Sequence, residues 1–151
     1  MTTLQSHLLL LLFGLFGLFG LFITNNNPIT TVNIFDQVNK VRINERQKPL
    51  KSDPTLIKSA TWKANQLCSS GVFAHNLQNM TWQDFFVNVD PSINIIGENL
   101  ATDQISTEQV INQWMQSLTH KNNILGEFTI TGVAVKSCNN KMIIVQHFGK
   151  L

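Results

Sequence analysis

The chain has 151 residues, which is room for one domain rather than two, and its formal charge at neutral pH is +2. Every Lys, Arg, Asp and Glu lies beyond residue 35, so this small charge belongs to the folded part. It is too small for the electrostatic footprint of a nucleic-acid-binding protein, and we expect no nucleic acid among the partners.

The N-terminal segment is strongly apolar. Leu8 to Ile23 contains only Leu, Phe, Gly and Ile, which slightly exceeds a usual signal-peptide core and falls short of the roughly 20 residues of a membrane-spanning helix. We predict that residues 1–24 are a signal peptide, with an uncleaved membrane anchor as the alternative. Residues 25–30 are predicted to be a linker and residues 31–151 the domain. The protein is therefore expected to be secreted, or held at a membrane by this segment alone.

Two helices are predicted in the first half of the domain. Apolar residues at helical spacing indicate an amphipathic helix from Thr31 to about Gln47. Asp53 as N-cap, Pro54 at the first helical position and Gly71 after the last turn indicate the second helix. The basic residues in and after the first helix are interpreted as a solvated face with no further role: Arg42, Arg46, Lys48 and Lys51.

The middle of the chain is less regular. Thr81 to about Asn88 is predicted to be a short helix, ended by a residue that precedes proline. Ile93 to Ala101 is predicted to be a loop entering a short strand. Ser106 and Gln109 form a capping-box signature, so a further helix is expected to begin there and to continue through Met115.

The chain closes with two predicted strands. Phe128 to Lys136 and Met142 to Phe148 are rich in apolar and β-branched residues, and Asn139 to Lys141 supply turn chemistry between them. We therefore predict an antiparallel hairpin. Amphipathic helices around a small antiparallel sheet predict an α/β fold with three α-β-α layers.

The sequence contains a possible disulfide and a possible glycosylation site. Cys68 and Cys138 would form a disulfide in an exported protein if the fold brings them together, and two buried free thiols are the alternative. Asn79 begins an Asn-x-Thr acceptor, which would be glycosylated only in a eukaryotic secretory route.

Four stretches contain the residues that could carry chemistry: Phe73–Asn76, Gly97–Ala101, Trp114–Leu125, and Gly132–Val135 with Val145–Gly149. Their order and separations resemble the CAP/SCP superfamily of cysteine-rich secretory, antigen-five and pathogenesis-related proteins, and in particular its compact bacterial-type branch. The resemblance covers roughly residues 34 to 149. It implies an α-β-α sandwich, in agreement with the elements predicted above.

The resemblance also implies a cleft lined by two histidines and two acidic residues. Here these are His75, Glu98 and His120, while Ser117 stands where the second acid is expected. Glu108 and Glu127 are the acids nearest in sequence, although their spacing does not favour either as a substitute. Asn99 and Gln146 are interpreted as supporting groups that satisfy buried backbone.

Three interpretations of this cleft are kept. His75, His120 and Glu98 form a plausible three-ligand set for Zn²⁺ with a fourth position left to water. In the second, Glu98 only orients one histidine and no metal binds. Catalysis is the third, but the metallopeptidase signature His-Glu-x-x-His is absent from the sequence.

These interpretations lead to two functional hypotheses. The first is a secreted binding module for an apolar small molecule such as a lipid or sterol, a glycan or another protein. The second is a metal-dependent hydrolase that acts through a zinc-bound water. The missing second acid favours binding, because a hydrolase needs a positioned base besides the metal ligands. A structural role in a wall, coat or host interface is a third alternative.

Overall fold

The protein is described by a computed structural model that covers residues 27–87 and 89–151. The predicted leader at residues 1–24 lies outside these described residues. The elements, in chain order, are α1 (Thr31–Asn44), β1 (Lys51–Ser52), α2 (Pro54–Ser70), a 3₁₀ helix (Trp82–Phe86), β2 (Ile95–Thr102), α3 (Thr107–Gln116), α4 (Leu118–Leu125), β3 (Ile130–Cys138) and β4 (Lys141–Lys150).

The sheet is the middle layer of three, which confirms the predicted α-β-α sandwich. Its strand order is β1-β3-β4-β2; the three long strands are antiparallel, and the two-residue β1 adds a parallel edge that was not predicted. Helix α2 packs on one face through Ala60, Ala64 and Leu67. Helices α1, α3 and α4 cover the other face with a core that includes Ile34, Val110 and Ile124.

Two local sequence signals correspond closely to the structure. The Asp53 carboxylate caps α2 by accepting from the backbone N–H groups of Thr55 and Leu56, and Gly71 ends the helix in the left-handed conformation. Asn139 and Asn140 both have positive φ, as a two-residue hairpin turn between β3 and β4 requires.

Other boundaries differ from the prediction. Helix α1 ends at Asn44, and the predicted loop before Ala101 is mostly the eight-residue strand β2. The helix expected from Ser106 breaks at Ser117, whose extended backbone starts α4, so Ser117 does not share a continuous helix with the Trp114 turn.

Arg42 corrects the interpretation of the basic cluster as a solvated face. It is 2% exposed, and its guanidinium donates to the carbonyl oxygens of Lys48, Ile124, Gly126 and Phe128. Arg42 falls on the same buried stripe of α1 as Ile34 and Val38. The long side chain thus reaches across the core to a second segment instead of pointing to solvent.

The covalent and terminal features can also be placed. Cys68 and Cys138 are joined by a disulfide that links the end of α2 to the end of β3, with Cα atoms 5.8 Å apart. Asn79 lies exposed in a turn with φ 63°, and its glycosylation stays a prediction. Asn27, in the predicted linker, accepts at its carbonyl oxygen from the backbone N–H of Thr107 at the start of α3. None of the helices within residues 27–87 and 89–151 has the length and apolar character to cross a membrane.

Candidate functional site

Glu98 is the centre of the candidate site. It lies on β2 directly opposite His147 of β4, so that the two side chains share the face of the sheet that α2 covers. One carboxylate oxygen, Oε1, lies 2.7 Å from His75 Nδ1, and the other, Oε2, lies 3.0 Å from His147 Nε2. The carboxylate of Glu98 is 1% exposed, and both of its oxygens have hydrogen-bond partners.

Two residues of α2 complete the buried side of this cluster. The Lys63 ammonium lies 4.0 Å from Glu98 Oε2, donates to the backbone carbonyl of His75, and sits over the Phe85 ring. The Ser59 hydroxyl lies within hydrogen-bond distance of both His147 Nδ1, at 2.8 Å, and the Phe85 carbonyl oxygen. Lys63 and His147 are both fully buried, so their contacts with Glu98 are shielded from water.

His75 is the solvent-facing member of the cluster. It lies in the loop after α2, and its side chain is 49% exposed. An ionised carboxylate only accepts hydrogen bonds, so the proton of a neutral His75 belongs on Nδ1, where it is donated to Glu98. The other ring nitrogen, Nε2, then keeps its lone pair and is available to a ligand.

His120 approaches from the opposite helical layer. It lies on α4, and its ring centroid is 6.5 Å from those of both His75 and Trp114. Two asparagines attach this helix to β2: Asn99 donates to the His120 carbonyl, and Asn123 donates to the Glu98 carbonyl and to Asn99 Oδ1. The cleft therefore forms at the β2 edge of the sheet, where the two helical layers approach each other.

Four titratable groups in and behind the cleft have lowered pKa values, and that of Lys63 is lowered chiefly by burial. Burial acts to raise the pKa of Glu98, but hydrogen bonds from His147 and His75, together with the charge of Lys63, outweigh it and leave this pKa below its ordinary value. The pKa of His147 is lowered by burial against the opposing effect of Glu98. Burial and the neighbouring His75 lower the pKa of His120, which favours its neutral form.

Some residues considered from sequence lie elsewhere or bond differently. Glu108 accepts from the Asn27 side chain at the start of α3, and Glu127 pairs with Lys150, so neither supplies a second acid to the cleft. Gln146 donates to the Thr131 hydroxyl rather than to backbone, and its side-chain oxygen has no partner within the part of the chain described.

The sequence alone did not identify His147 or Lys63 as members of this cluster, although Lys63 had a signal in the helical pattern. The pattern of α2 places Lys63 on the buried stripe, since it lies four residues after Ser59 and four before Leu67. His147 could be found only by aligning β4 against β2, because nothing local to β4 indicates that it faces Glu98.

The donor set can be compared with the needs of zinc. Both oxygens of Glu98 already accept hydrogen bonds. Glu98 is therefore better placed to orient His75 from behind a metal than to be a metal ligand itself. No group of three or more His, Cys, Asp or Glu side chains within residues 27–87 and 89–151 has the geometry to hold a metal. Two imidazoles on one tetrahedral zinc have centroids about 5 Å apart, so these rings would have to approach by roughly 1.5 Å. The two histidines would therefore have to move towards each other before they could share one zinc ion, with Glu98 behind His75.

A three-layer sandwich with a His/Glu cleft at the sheet edge defines the class of protein. The chain belongs to the CAP family, described as the cysteine-rich secretory protein family, whose sequence model matches residues 35–148. This confirms the resemblance drawn from the four motifs.

Individual relatives agree with this assignment. The chain is 35% identical to the uncharacterized protein YkwD of Bacillus subtilis over 66% of its own length, and this match spans 40% of YkwD. An outer surface protein from Borrelia burgdorferi is 26% identical with a TM-score of 0.72, over 83% of this chain and 98% of that one. An extracellular protein containing an SCP domain from Bacillus anthracis has the same fold, with 24% identity and a TM-score of 0.72 over 80% of this chain and 40% of that one.

A more distant protein with the same fold has been solved with zinc. It is NaASP2 with Zn²⁺, which is 16% identical with a TM-score of 0.59 over 84% of this chain and 86% of that one. At this identity the likeness extends to the fold alone.

Proposed function

We propose that this chain is a secreted or surface-tethered binding protein whose cleft takes a divalent metal such as Zn²⁺ between His75 and His120. The observation that carries the proposal is the hydrogen bond from His75 Nδ1 to Glu98, which leaves Nε2 of a half-exposed ring free beside His120. The outer-surface and extracellular relatives support the location. The apolar segment Leu8–Ile23 provides the route of export or the tether.

The same geometry favours binding over hydrolysis. A metal-dependent hydrolase needs a base that can take a proton from the attacking water. Glu98 is engaged with His75 and His147, and Ser117 occupies the place of the second acid. Among the described residues of the cleft, a metal-dependent, peptidase-like activity would therefore have no free carboxylate to act as its base.

Zinc titration of the purified protein by calorimetry tests the proposal. We expect saturable binding that His75→Ala and His120→Ala each abolish, with affinity weakening as the pH is lowered, because protonated imidazoles cannot ligate. Binding that persists unchanged in the double variant would refute the metal site.

Ser117 allows a gain-of-function control. Ser117→Glu adds back a carboxylate at the start of α4, and we expect it to tighten zinc binding by about tenfold or more. Ser117→Ala changes the same position without adding a ligand and should leave the affinity unchanged. Equal zinc affinities in the two variants would show that residue 117 is not close enough to the metal site to supply a ligand.

An apolar small-molecule ligand is a second candidate, supported by a separate cavity. This cavity has a volume of about 280 Å³, lies between the end of α2 and the β3–β4 hairpin, and is lined in part by Leu67, Phe73 and Ile143. It is close to the lower end of the roughly 300–1,000 Å³ usual for ligand sites, which suits a small ligand or one part of a lipid or sterol. Saturable binding of a fluorescent fatty acid, lost in Leu67→Gln and kept in His75→Ala, would support it.

A further inference from the structure

We infer that the groove between the α1–β1 loop and the start of β3 binds an acidic polysaccharide. This inference goes beyond the proposed cleft, because the groove includes β1, whereas Glu98 is on β2 at the opposite edge of the sheet. The groove has a volume of about 560 Å³.

The lining of the groove is predominantly cationic. Four cationic side chains line it, Arg42, Arg46, Lys48 and Lys51, against one acidic side chain, Glu127. The Glu127 carboxylate is paired with Lys150 Nζ at 2.7 Å. Within residues 27–87 and 89–151, none of the exposed Arg46, Lys48 and Lys51 pairs with a carboxylate. A concave surface of one sign focuses the field on a ligand of the other sign.

Arg42 holds the two walls of this groove together. Its Nε donates to the Lys48 carbonyl in one wall, and its Nη2 donates to the Phe128 carbonyl in the other. All these acceptors are neutral, so the buried positive charge is stabilised without being cancelled. The groove therefore has a preformed cationic floor.

Backbone strain occurs on the loop that forms the exposed wall. Arg46 has φ 59°, a left-handed conformation that costs energy for a residue with a side chain. Hydrogen bonds from Arg46 N to the Ile43 carbonyl and from Gln47 N to the Arg42 carbonyl hold it there. The turn thus holds the backbone of Arg46 at the rim of the groove, and a guanidinium there can bind a carboxylate through two hydrogen bonds.

Shape and lining favour a sugar chain over a lipid bilayer. A bilayer is flat, whereas this surface is concave, and it also offers polar groups at Gln47 and Thr129 and apolar surface at Pro49 and Phe128. Carboxylated sugars present the same combination of charge, hydroxyl groups and apolar ring faces. In addition, the groove is at the end of α1 remote from Thr31, and a 14-residue helix places it about 21 Å from the chain's entry point.

A binding comparison of two charge-matched variants tests the inference on the full-length protein. The probe is oligogalacturonate, with a neutral maltooligosaccharide of equal length as its control. The groove variant carries Arg46→Ser, Lys48→Ser and Lys51→Ser. The matched variant removes the same charge at exposed positions outside the groove, with Lys58→Ser, Lys121→Ser and Lys141→Ser.

We expect saturable oligogalacturonate binding that weakens with salt and becomes at least about tenfold weaker in the groove variant only. The maltooligosaccharide should bind no variant. Equal losses in both variants, no saturation, or binding to phosphatidylglycerol vesicles without binding to oligogalacturonate would overturn the inference. Zinc binding by the groove variant is expected to be unchanged, so failure of the groove and failure of the cleft are distinguishable.

Discussion

Two cationic side chains are buried among the residues that the structure describes, Lys63 and Arg42, and their surroundings differ. Lys63, on α2, lies beside the Glu98 carboxylate that two histidines also contact, whereas Arg42, on α1, contacts carbonyl oxygens. Arg42 can satisfy four carbonyls because its guanidinium has five fixed donors, while the ammonium of Lys63 is a compact charge with three. The arginine joins two segments of backbone, and the lysine couples the fold to a group at the protein surface.

This difference indicates where function can be altered without unfolding the protein. The Arg42 cluster is made of main-chain acceptors, so its loss affects the fold. The Glu98 cluster ends at the half-exposed ring of His75, so changes within it reach the cleft as well as the core. Substitutions in each cluster and one pH series separate the two clusters.

Removal of the Glu98 charge is expected to have the largest effect. Glu98→Gln keeps the size of the side chain but leaves Lys63 buried without its counter-charge, which should lower the free energy of unfolding by about 3–5 kcal/mol. Urea unfolding at pH 7 measures this difference. Combining it with Lys63→Met should recover part of the loss, because the unpaired charge is then removed. No recovery in the double variant would contradict the role assigned to this pair.

Arg42→Met is expected to cost about 2–4 kcal/mol, because four carbonyl groups lose their donor in a buried setting. Arg42→Lys should recover only part of this, since one ammonium cannot reach all four acceptors. Neither change should alter zinc affinity, because Arg42 contacts no residue of the cleft described above. A loss of zinc binding in a folded Arg42→Met protein would show that the two clusters are coupled.

The sequence predicts the parts of the fold that depend on local chemistry. Asp53, Pro54 and Gly71 define α2 almost to the residue, and the two asparagines at 139 and 140 define the hairpin turn. These signals work because each residue satisfies a backbone requirement within a few positions of itself. The four motifs also predict the family and the approach of His75 to Glu98.

The missed features depend on partners far apart in the chain. Glu98 and His147 are 49 residues apart and meet only through strand register, and Arg42 reaches carbonyls more than 80 residues away. Strand β1 has only two residues, too few for any periodic pattern. Lysine and arginine in a helix usually lie on the solvated face. Lys63 and Arg42 are buried because partners distant in the chain surround them, which the local pattern does not indicate.

Lys63→Met is expected to have a smaller effect on stability, about 1–2 kcal/mol, because Glu98 keeps its hydrogen bonds to His75 and His147. Its larger effect should be on the cleft, since Lys63 also holds the His75 backbone carbonyl. We expect zinc binding to weaken several-fold in calorimetry while the unfolding transition stays cooperative. Lys58→Met, on the exposed face of the same helix, is the matched control and should change neither quantity.

The smallest expected effect is a difference between the two clusters in how the free energy of unfolding depends on pH. His147 has its pKa lowered by burial, so the folded protein keeps it neutral while the unfolded chain binds a proton below about pH 6.5. Stability is therefore lost as the pH falls from 7 to 5, and a further loss follows below about 4.5, because the folded pKa of Glu98 also lies below its ordinary value. His147→Gln is less stable at pH 7, but its free energy of unfolding should fall less between pH 7 and pH 5, so its urea midpoint approaches that of the wild type.

Arg42→Met has no titrating partner to lose, and its difference in free energy of unfolding from the wild type should be equal at both pH values. If the stability difference from the wild type changed with pH for Arg42→Met, or stayed constant for His147→Gln, the assignment of titrating and non-titrating clusters would be reversed.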